Sequence, residues 1–345
     1  MNPLDSISKL DLEDLARGAT FLGSGGGGDP ISDCLLAESF MKEAFLPLKQ
    51  VSACDDEEMI VLVAGIGAPL VSAERLMSGD EFIQAIELVE RMLGRAIENV
   101  AAAEIGGSNA FSALIASITT KRNLIDADSL GRAFPTMNIS SCALCGVAPT
   151  PAVMVDGLGN AVAFHTTSPE VFERHARAVV TAMGSSAVCA LYPMTGSQAK
   201  KALIAGALSK AVNIGKKLRN KHRHELGCTW VGRGVISRIE QEIDKGFLVG
   251  KVTIEGASRY VLEFQNEFLV VYEKDRPIHT TPDIITLLES ESLNPLGTDQ
   301  LRYGLEVDIV IAASPPIWRT KQGLLLTAPA AFGYSFPPML IEEGV

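Results

Sequence analysis

The chain has 345 residues, 47 % of them hydrophobic and 21 % charged, with 30 basic against 41 acidic side chains and a net charge of −11. That size and apolar share fit a globular protein with room for two cores, and the negative balance excludes nucleic acid and anionic membranes as expected partners. No apolar run reaches the ~20 residues that span a bilayer, and the start of the chain lacks the basic-then-apolar order of a secretory leader.

In chain order, Ser8-Lys9-Leu10-Asp11 reads as an N-cap with an acid three residues on, opening a helix whose apolar face is Leu12, Leu15, Ala16 and Ala19. A glycine run follows, Gly23-Ser24-Gly25-Gly26-Gly27-Gly28, and ends on Asp29-Pro30. An acid at the N-cap and a proline at the first helical position predict a second helix, reaching to about residue 44. Residues 59–64 are continuously apolar, as in a strand buried on both faces. Ser78-Gly79-Asp80-Glu81 is a capping box for a helix with Phe82, Ile86, Val89, Leu93 and Ile97 on one side. The spacing then predicts a strand over 99–104, a loop over 106–109, a helix over 110–120 and strands over 123–126 and 152–156. Alternation of this kind implies right-handed crossovers and a mostly parallel sheet.

The pattern changes near Ser168. Residues 169–183 and 195–219 read as helices, and residues 234–239, 247–254, 260–272 and 306–312 as strands. The expected fold class is therefore α/β with two domains. Residues 1–168 form an N-terminal, mostly parallel sheet flanked by helices and carrying the glycine-rich loop. Residues 169–345 form an α+β unit, a helical pair over 169–221 followed by a β-rich part over 228–345. The basic run from Lys216 to His224 ends the second helix of the pair, where it complements the helix dipole rather than marking a binding patch.

The glycine run satisfies a dinucleotide-loop pattern only formally. A helix precedes it where a strand is required, and the Lys-Ser/Thr of a phosphate loop is replaced by Asp29-Pro30. The Asp29 carboxylate would also stand where a phosphate sits at the helix start. Because consecutive glycines cost backbone entropy, the run is read as a loop whose bare amides approach a ligand. Glu104 ends one predicted strand, while Asp126 and Asp128 end or follow the next, so these carboxylates are expected on one rim of the sheet beside Gly106, Gly107 and Asn109. Paired acids in a cleft divide into a protonated and an ionised member. Alternatively, Asp126 or Asp128 caps a helix. Arg132 is placed to pair with these acids or to hold a substrate oxygen.

Other features carry less. Cys142-Ala143-Leu144-Cys145 has no second pair or histidines at zinc spacing, so it reads as inert thiols, with Cys142 a minor nucleophile candidate. Six scattered cysteines form no disulfide framework and imply reduced thiols in the cytoplasm. His165 lies in a predicted loop, and His222-Arg223-His224 is a weak metal signal in a solvated run. Gln265-Asn266-Glu267 breaks an alternating strand, as a bulge or as a site facing the first domain. No cofactor or metal is assigned by these residues, and self-association stays open.

Several longer motifs are shared with one family. They include Asp14-Leu15-Ala16-Arg17-Gly18-Ala19 leading into the glycine run, Glu104-Ile105-Gly106-Gly107, Asp126-Ala127-Asp128 and Gly131-Arg132-Ala133-Phe134-Pro135. Further along come Tyr192-Pro193-Met194-Thr195-Gly196, Glu263-Phe264-Gln265-Asn266-Glu267, Pro282-Asp283-Ile284-Ile285, Leu301-Arg302-Tyr303-Gly304 and Ala331-Phe332-Gly333-Tyr334. Over roughly residues 10–335 the chain resembles the S-methyl-thiohydantoin desulfurases. The resemblance implies a two-domain α/β protein that removes a methylthio group from a hydantoin-like ring, and an association with hydantoinase or oxoprolinase-type proteins. A non-catalytic accessory subunit of such a complex is the alternative. For the reaction, Glu104 or Asp126 is expected as base and Asp128 as its acidic partner. Arg132, Asn109, Gly106 and Gly107 would position the ring, and the amides of Gly25, Gly26, Gly27 and Gly28 would receive its carbonyl.

Overall fold

The computed structural model describes residues 3–68, 71, 74–244 and 246–342, so the first two residues of the start read for a leader lie outside the described residues. The first sheet begins with β1 (Ser6–Ser8), β2 (Phe45–Lys49), β3 (Met59–Gly67), β4 (Asn99–Ala102) and β5 (Asn123–Ile125). Within it β2, β5, β4 and β3 lie side by side and parallel, which is the block that the strand–helix alternation predicts. A two-residue strand β6 (Ala127–Asp128) follows β5. Beyond β3 the sheet continues through three antiparallel neighbours formed by β7 (Ala152–Asp156), β8 (Ala161–Phe164) and β9 (Ser186–Thr195), in the order β9, β7, β8. Residues from both sides of Ser168 therefore build one sheet. β2 and β9 were not foreseen, since each contains a proline, Pro47 and Pro193, which weakens a strand reading.

Helices cover both faces. They are α1 (Leu12–Leu22), α2 (Ile31–Phe40), α3 (Asp80–Leu93), α4 (Asn109–Thr120), a short α5 (Ser141–Leu144), α6 (Pro169–Ala182), α7 (Gly196–Ala202) and α8 (Ala207–Arg219). The Ser8 capping box forms as expected, with Asp11 Oδ2 accepting from Ser8 N at 2.9 Å and from Ser8 Oγ at 2.6 Å. α2 stops at Phe40 rather than near residue 44, and its N-cap is Pro30, one residue later than expected, with Asp29 Oδ1 accepting from Ile31 N at 3.0 Å. The helix expected over 195–219 is two. Leu203 turns extended, Ile204–Ala205 (β10) pairs with β6, and Gly206 at φ +76° restarts the chain as α8.

α1 and α8 cross at very short range. A Cβ on Gly18 would lie 1.8 Å from Ala211 O, and one on Gly215 would lie 1.8 Å from Asp14 O. The basic end of α8 is drawn onto α1 as well, through Lys216–Asp11 at 2.6 Å and Arg219–Asp14 at 2.8 Å. Two apolar cores result, one under α1–α4 and α8, the other on the opposite face of the sheet under α6 and α7.

The second sheet is antiparallel throughout. Its strands are β11 (Thr229–Asp244), β12 (Phe247–Gly256), β13 (Arg259–Gln265), β14 (Glu267–Glu273), β15 (Arg276–Thr280), β16 (Ile284–Glu289), β17 (Pro295–Leu296) and β18 (Glu306–Ala312). They are ordered β15, β14, β13, β12, β11, β18, β16, β17 over a third core. The single strand expected over 260–272 is a hairpin. The chain reverses at Asn266, φ +58°, whose side chain accepts from Leu248 N at 2.9 Å. Asparagine tolerates the left-handed region, so the polar break is a turn with a bulge behind it, between Glu263 and Phe264.

Candidate active site

Strand β4 ends at Ala102, and the next five residues carry the chain over the rim of the parallel block. Glu104 stands there, 8 % exposed. Asn109, the first residue of α4, donates from Nδ2 to Glu104 Oε1 at 3.2 Å, and Phe134 N donates to Oε2 at 3.3 Å. Asn109 is itself held by Gly65 N, which donates to its Oδ1 at 2.7 Å from the neighbouring strand. It therefore orients the carboxylate rather than reaching for a ligand of its own.

The two aspartates separate. Asp126 Oδ1 accepts from Leu208 N at 2.9 Å and Ser209 N at 3.1 Å; its Oδ2 accepts from Ser209 Oγ at 2.5 Å and Gln50 Nε2 at 3.3 Å. It is the cap of α8, supplied from a distant strand. The expectation of Asp126 as a base is corrected on that ground, because both oxygens are committed to one helix start. Asp128 lies toward Glu104. Its Oδ2 accepts from Ile105 N at 2.9 Å, Leu130 N at 3.2 Å and Gly131 N at 2.7 Å, while its buried Oδ1 has no partner. Asp128 thus clamps the Glu104 loop to the turn that carries Arg132.

Arg132 is fully buried. Its Nε donates to Ala133 O at 2.8 Å and its Nη1 to Pro282 O at 2.6 Å and Asp283 O at 2.7 Å, leaving Nη2 without a partner. The guanidinium lies 4.5 Å over the Phe134 ring. It ties the first sheet's rim to the start of β16 and presents one free N–H edge.

The glycine loop closes over this group. Ser24 at φ +54° and Gly25, Gly27 and Gly28 at φ +89°, +80° and +77° coil it in the left-handed region. Its backbone meets the 106–108 loop directly: Ser108 N donates to Gly27 O at 2.9 Å, and a Cβ on Gly107 would stand 2.2 Å from Gly27 O. Gly106 is confined too, since a Cβ there would lie 2.8 Å from Ala133. These two glycines are accordingly packing positions that allow the loops to touch. Gly25 faces the Phe268 ring, and its carbonyl accepts from Thr298 N at 2.7 Å. Gly26 faces Glu267, whose Oε1 would lie 2.1 Å from a Cβ there. The Gly26 amide is taken within the loop, donating to Gly23 O at 2.9 Å, and Gly25 is buried. Gly27 and Gly28 differ: they are half-buried, and among the described residues no group accepts from their amides.

The sequence reading left the polar break Gln265-Asn266-Glu267 as a bulge or as a site facing the first domain, and did not name Glu267 among the site residues. The hairpin turn at Asn266 delivers this residue to the first sheet. It is 3 % exposed, and its Oε2 has no partner. Charge is expensive here. Burial pushes Glu104 up to about 8 against the opposing Asn109 and Phe134 hydrogen bonds, with Asp128 adding to the rise. Burial raises Asp128 to about 7 despite its three backbone donors. Glu267 is driven well above the carboxylate range by burial and then by Glu104, with Arg132 opposing. Arg132 falls to about 10 through burial, offset by Glu267, Asp283 and Glu104.

The remaining candidates lie apart from this group. Cys142 is buried and its thiol is pushed up to about 12 by burial, which disfavours a nucleophilic role; Cys145 is exposed. His165 is exposed. Among the described residues no set of three or more His, Cys, Asp or Glu gathers as a metal site would require, and no helix is long and apolar enough to cross a membrane.

Comparison with known proteins fits this arrangement. A solved crystal structure of a protein from Chromobacterium violaceum is 26 % identical, with a TM-score of 0.81 over 97 % of this chain and 99 % of that one. No functionally curated protein matches the chain. Two family models match in succession, "S-Me-THD-like, N-terminal domain" over residues 10–166 and "S-Me-THD-like, C-terminal domain" over residues 167–339. With nearly its whole length matched and the rim motifs of both parts meeting at one place, the chain belongs to the S-Me-THD-like family, the S-methyl-thiohydantoin desulfurase-like proteins.

Proposed function

We propose that the protein hydrolyses an S-methyl-thiohydantoin, or a related hydantoin-like ring, with loss of methanethiol. The observation that carries this reading is that buried Glu104, held by Asn109 and Phe134, belongs to the same rim loop whose Ser108 N donates to Gly27 O, beside the half-buried Gly27 and Gly28. The ring carbon that bears sulfur must be attacked by water, and the ring carbonyl must be held while charge moves. Glu104, oriented by Asn109 and Phe134, takes the proton from water. The Gly27 and Gly28 amides offer donors to the carbonyl oxygen, a role that suits bare backbone approaching a neutral ring better than a phosphate facing Asp29. Asp128 fixes the geometry through its three backbone donors, and Arg132 holds the second sheet against the rim.

The test is release of methanethiol, followed with a thiol reagent, over a panel of S-methylated thiohydantoins. The wild-type chain is expected to turn over at least one of them, and Glu104→Gln is expected to lower kcat by about 10²–10⁴-fold. Absence of methanethiol across the panel defeats the reading. Turnover that appears only after a hydantoinase or oxoprolinase-type protein is added supports the accessory-subunit alternative instead.

A further inference from the structure

We infer that Glu267, delivered by the second sheet, is the general acid of this site and gives its proton to the ring nitrogen next to the carbon attacked. The assignment rests on the reaction proposed above, and the argument for the residue is geometric. Gly26 has room for no side chain because Glu267 Oε1 occupies that space, so the glycine loop is shaped around this carboxyl. The hairpin is fastened from both sides: Phe268 N donates to Ser24 O at 2.7 Å, and Thr298 Oγ1 donates to Asn266 O at 2.8 Å and to Gly25 O at 3.2 Å. A side chain so enclosed keeps one position, yet its buried Oε2 is left without a partner. An unpaired oxygen at that depth is costly unless something arrives to pair with it.

The same contacts decide which of the two glutamates keeps a proton. Glu104 accepts hydrogen bonds on both oxygens, which stabilises its ionised form. Glu267 accepts only from its own backbone N–H, and the charged groups that face it are Glu104 and Arg132. Two buried carboxyls that repel each other lose their protons in separate steps, so over an interval of pH the pair holds a single proton. That proton belongs on Glu267, whose Oε2 has no donor.

With this division the reaction closes. Water oxygen bonds to the ring carbon, one water proton passes to Glu104, and the carbon–nitrogen π pair moves onto nitrogen, which takes the proton of Glu267. The carbon–sulfur bond then breaks, and the sulfur leaves with the bonding pair and the proton from Glu104. The new hydroxyl becomes a carbonyl as its proton returns to Glu267. Ring and water have become the desulfurised ring and methanethiol, and both carboxyls are restored.

Glu267→Gln keeps shape and hydrogen-bonding capacity but cannot transfer a proton, and it is tested in two ways. Infrared spectra of the full chain at pH 9, above the values of about 8 and about 7 to which burial raises Glu104 and Asp128, are expected to show the carbonyl stretch of an un-ionised carboxylic acid. That band should be absent in Glu267→Gln, be present in Glu104→Gln, and shift when plain hydantoin is added as probe. A missing band, or one unmoved by hydantoin, overturns the assignment. In the methanethiol assay Glu267→Gln is expected to lose about 10²–10⁴-fold in kcat, with KM within a few-fold of wild type. Its pH profile should lose the falling limb, whereas Glu104→Gln should lose the rising limb. Unchanged kcat, or an unchanged falling limb, overturns the assignment. Should the wild type release no methanethiol while hydantoin still shifts the Glu267 band, the reaction falls and the buried acid stands.

Discussion

Asp126 and Asp128 are two residues apart and equally buried, yet they do different work, and the difference lies in their donors. Asp126 receives four hydrogen bonds, three of them from the start of α8. Asp126→Ala is expected to cost about 2–4 kcal/mol, the loss of a cap together with buried donors left unmatched. Denaturant unfolding measures that loss, and turnover per folded molecule should be retained. Glu104 has the opposite signature. Its carboxyl is raised from 4.5 to about 8, so the folded state binds a proton more tightly than the unfolded chain does. The stability this contributes is fully present below pH ~4.5 and is lost as pH climbs through about 8. Unfolding midpoints at pH 5 and pH 8.5 should therefore fall for the wild type and fall less for Glu104→Gln, by on the order of a few kcal/mol. An equal fall in both proteins would contradict the burial argument. Glu104 and Asp128 were legible as strand-end acids. The role of Asp126 was not, because its partners arrive from residues 207–209 and no local spacing signals them.

Elements that sequence periodicity defines well are those whose burial is local. β3 and α4 match their predicted spans closely, and α3 does so up to Leu93, where left-handed Gly94 ends it before Ile97, since an apolar run or an amphipathic stripe reports directly on the sheet face it meets. The misses share another cause. β9 and the β13–β14 turn owe their form to neighbours distant in sequence, and the glycine loop owes its composition to the 106–108 loop and to Glu267. A ligand-facing loop was expected at four glycines; burial accounts for Gly25 and a bond to Gly23 O for the Gly26 amide, which leaves Gly27 and Gly28 as half-buried glycines whose amides meet no acceptor among the described residues. The α1–α8 crossing carries the same lesson in quantitative form. Helix propensity alone predicts that Gly215→Ala stabilises the protein by about 1 kcal/mol. The added methyl would instead stand 1.8 Å from Asp14 O, a backbone atom held within α1, and two helices would have to part. Overpacking of this kind costs about 1–3 kcal/mol. Because the obstruction is main chain rather than a flexible tip, Gly215→Ala is expected to be destabilising, by at least 1 kcal/mol in denaturant unfolding. A rise in stability would mean the helices lie farther apart than described.

At the scale of the molecule, the site exists only where two sheets meet. Glu104, Asp128 and Arg132 come from the rim of the first, and Glu267 and the Pro282–Asp283 carbonyls from the second. Ser24 locks them together by donating to Ile285 O at 2.9 Å and accepting from Ile285 N at 3.0 Å. The two family matches divide the chain between residues 166 and 167. Folding does not divide there. β9 lies between β3 and β7, so a fragment ending at residue 166 would expose two buried strand edges. The same cut removes α8 and uncovers the face of α1 against which Gly215 packs, along with the donors that satisfy Asp126. Residues 1–166 expressed alone are therefore expected to be insoluble or to lack a cooperative thermal transition. Co-expression with residues 167–345 should restore a soluble complex with the melting behaviour of the intact chain. A fragment that melted cooperatively by itself would show that the parallel block is sufficient without β9 and α8, and that the interlocked arrangement is not what stabilises the rim.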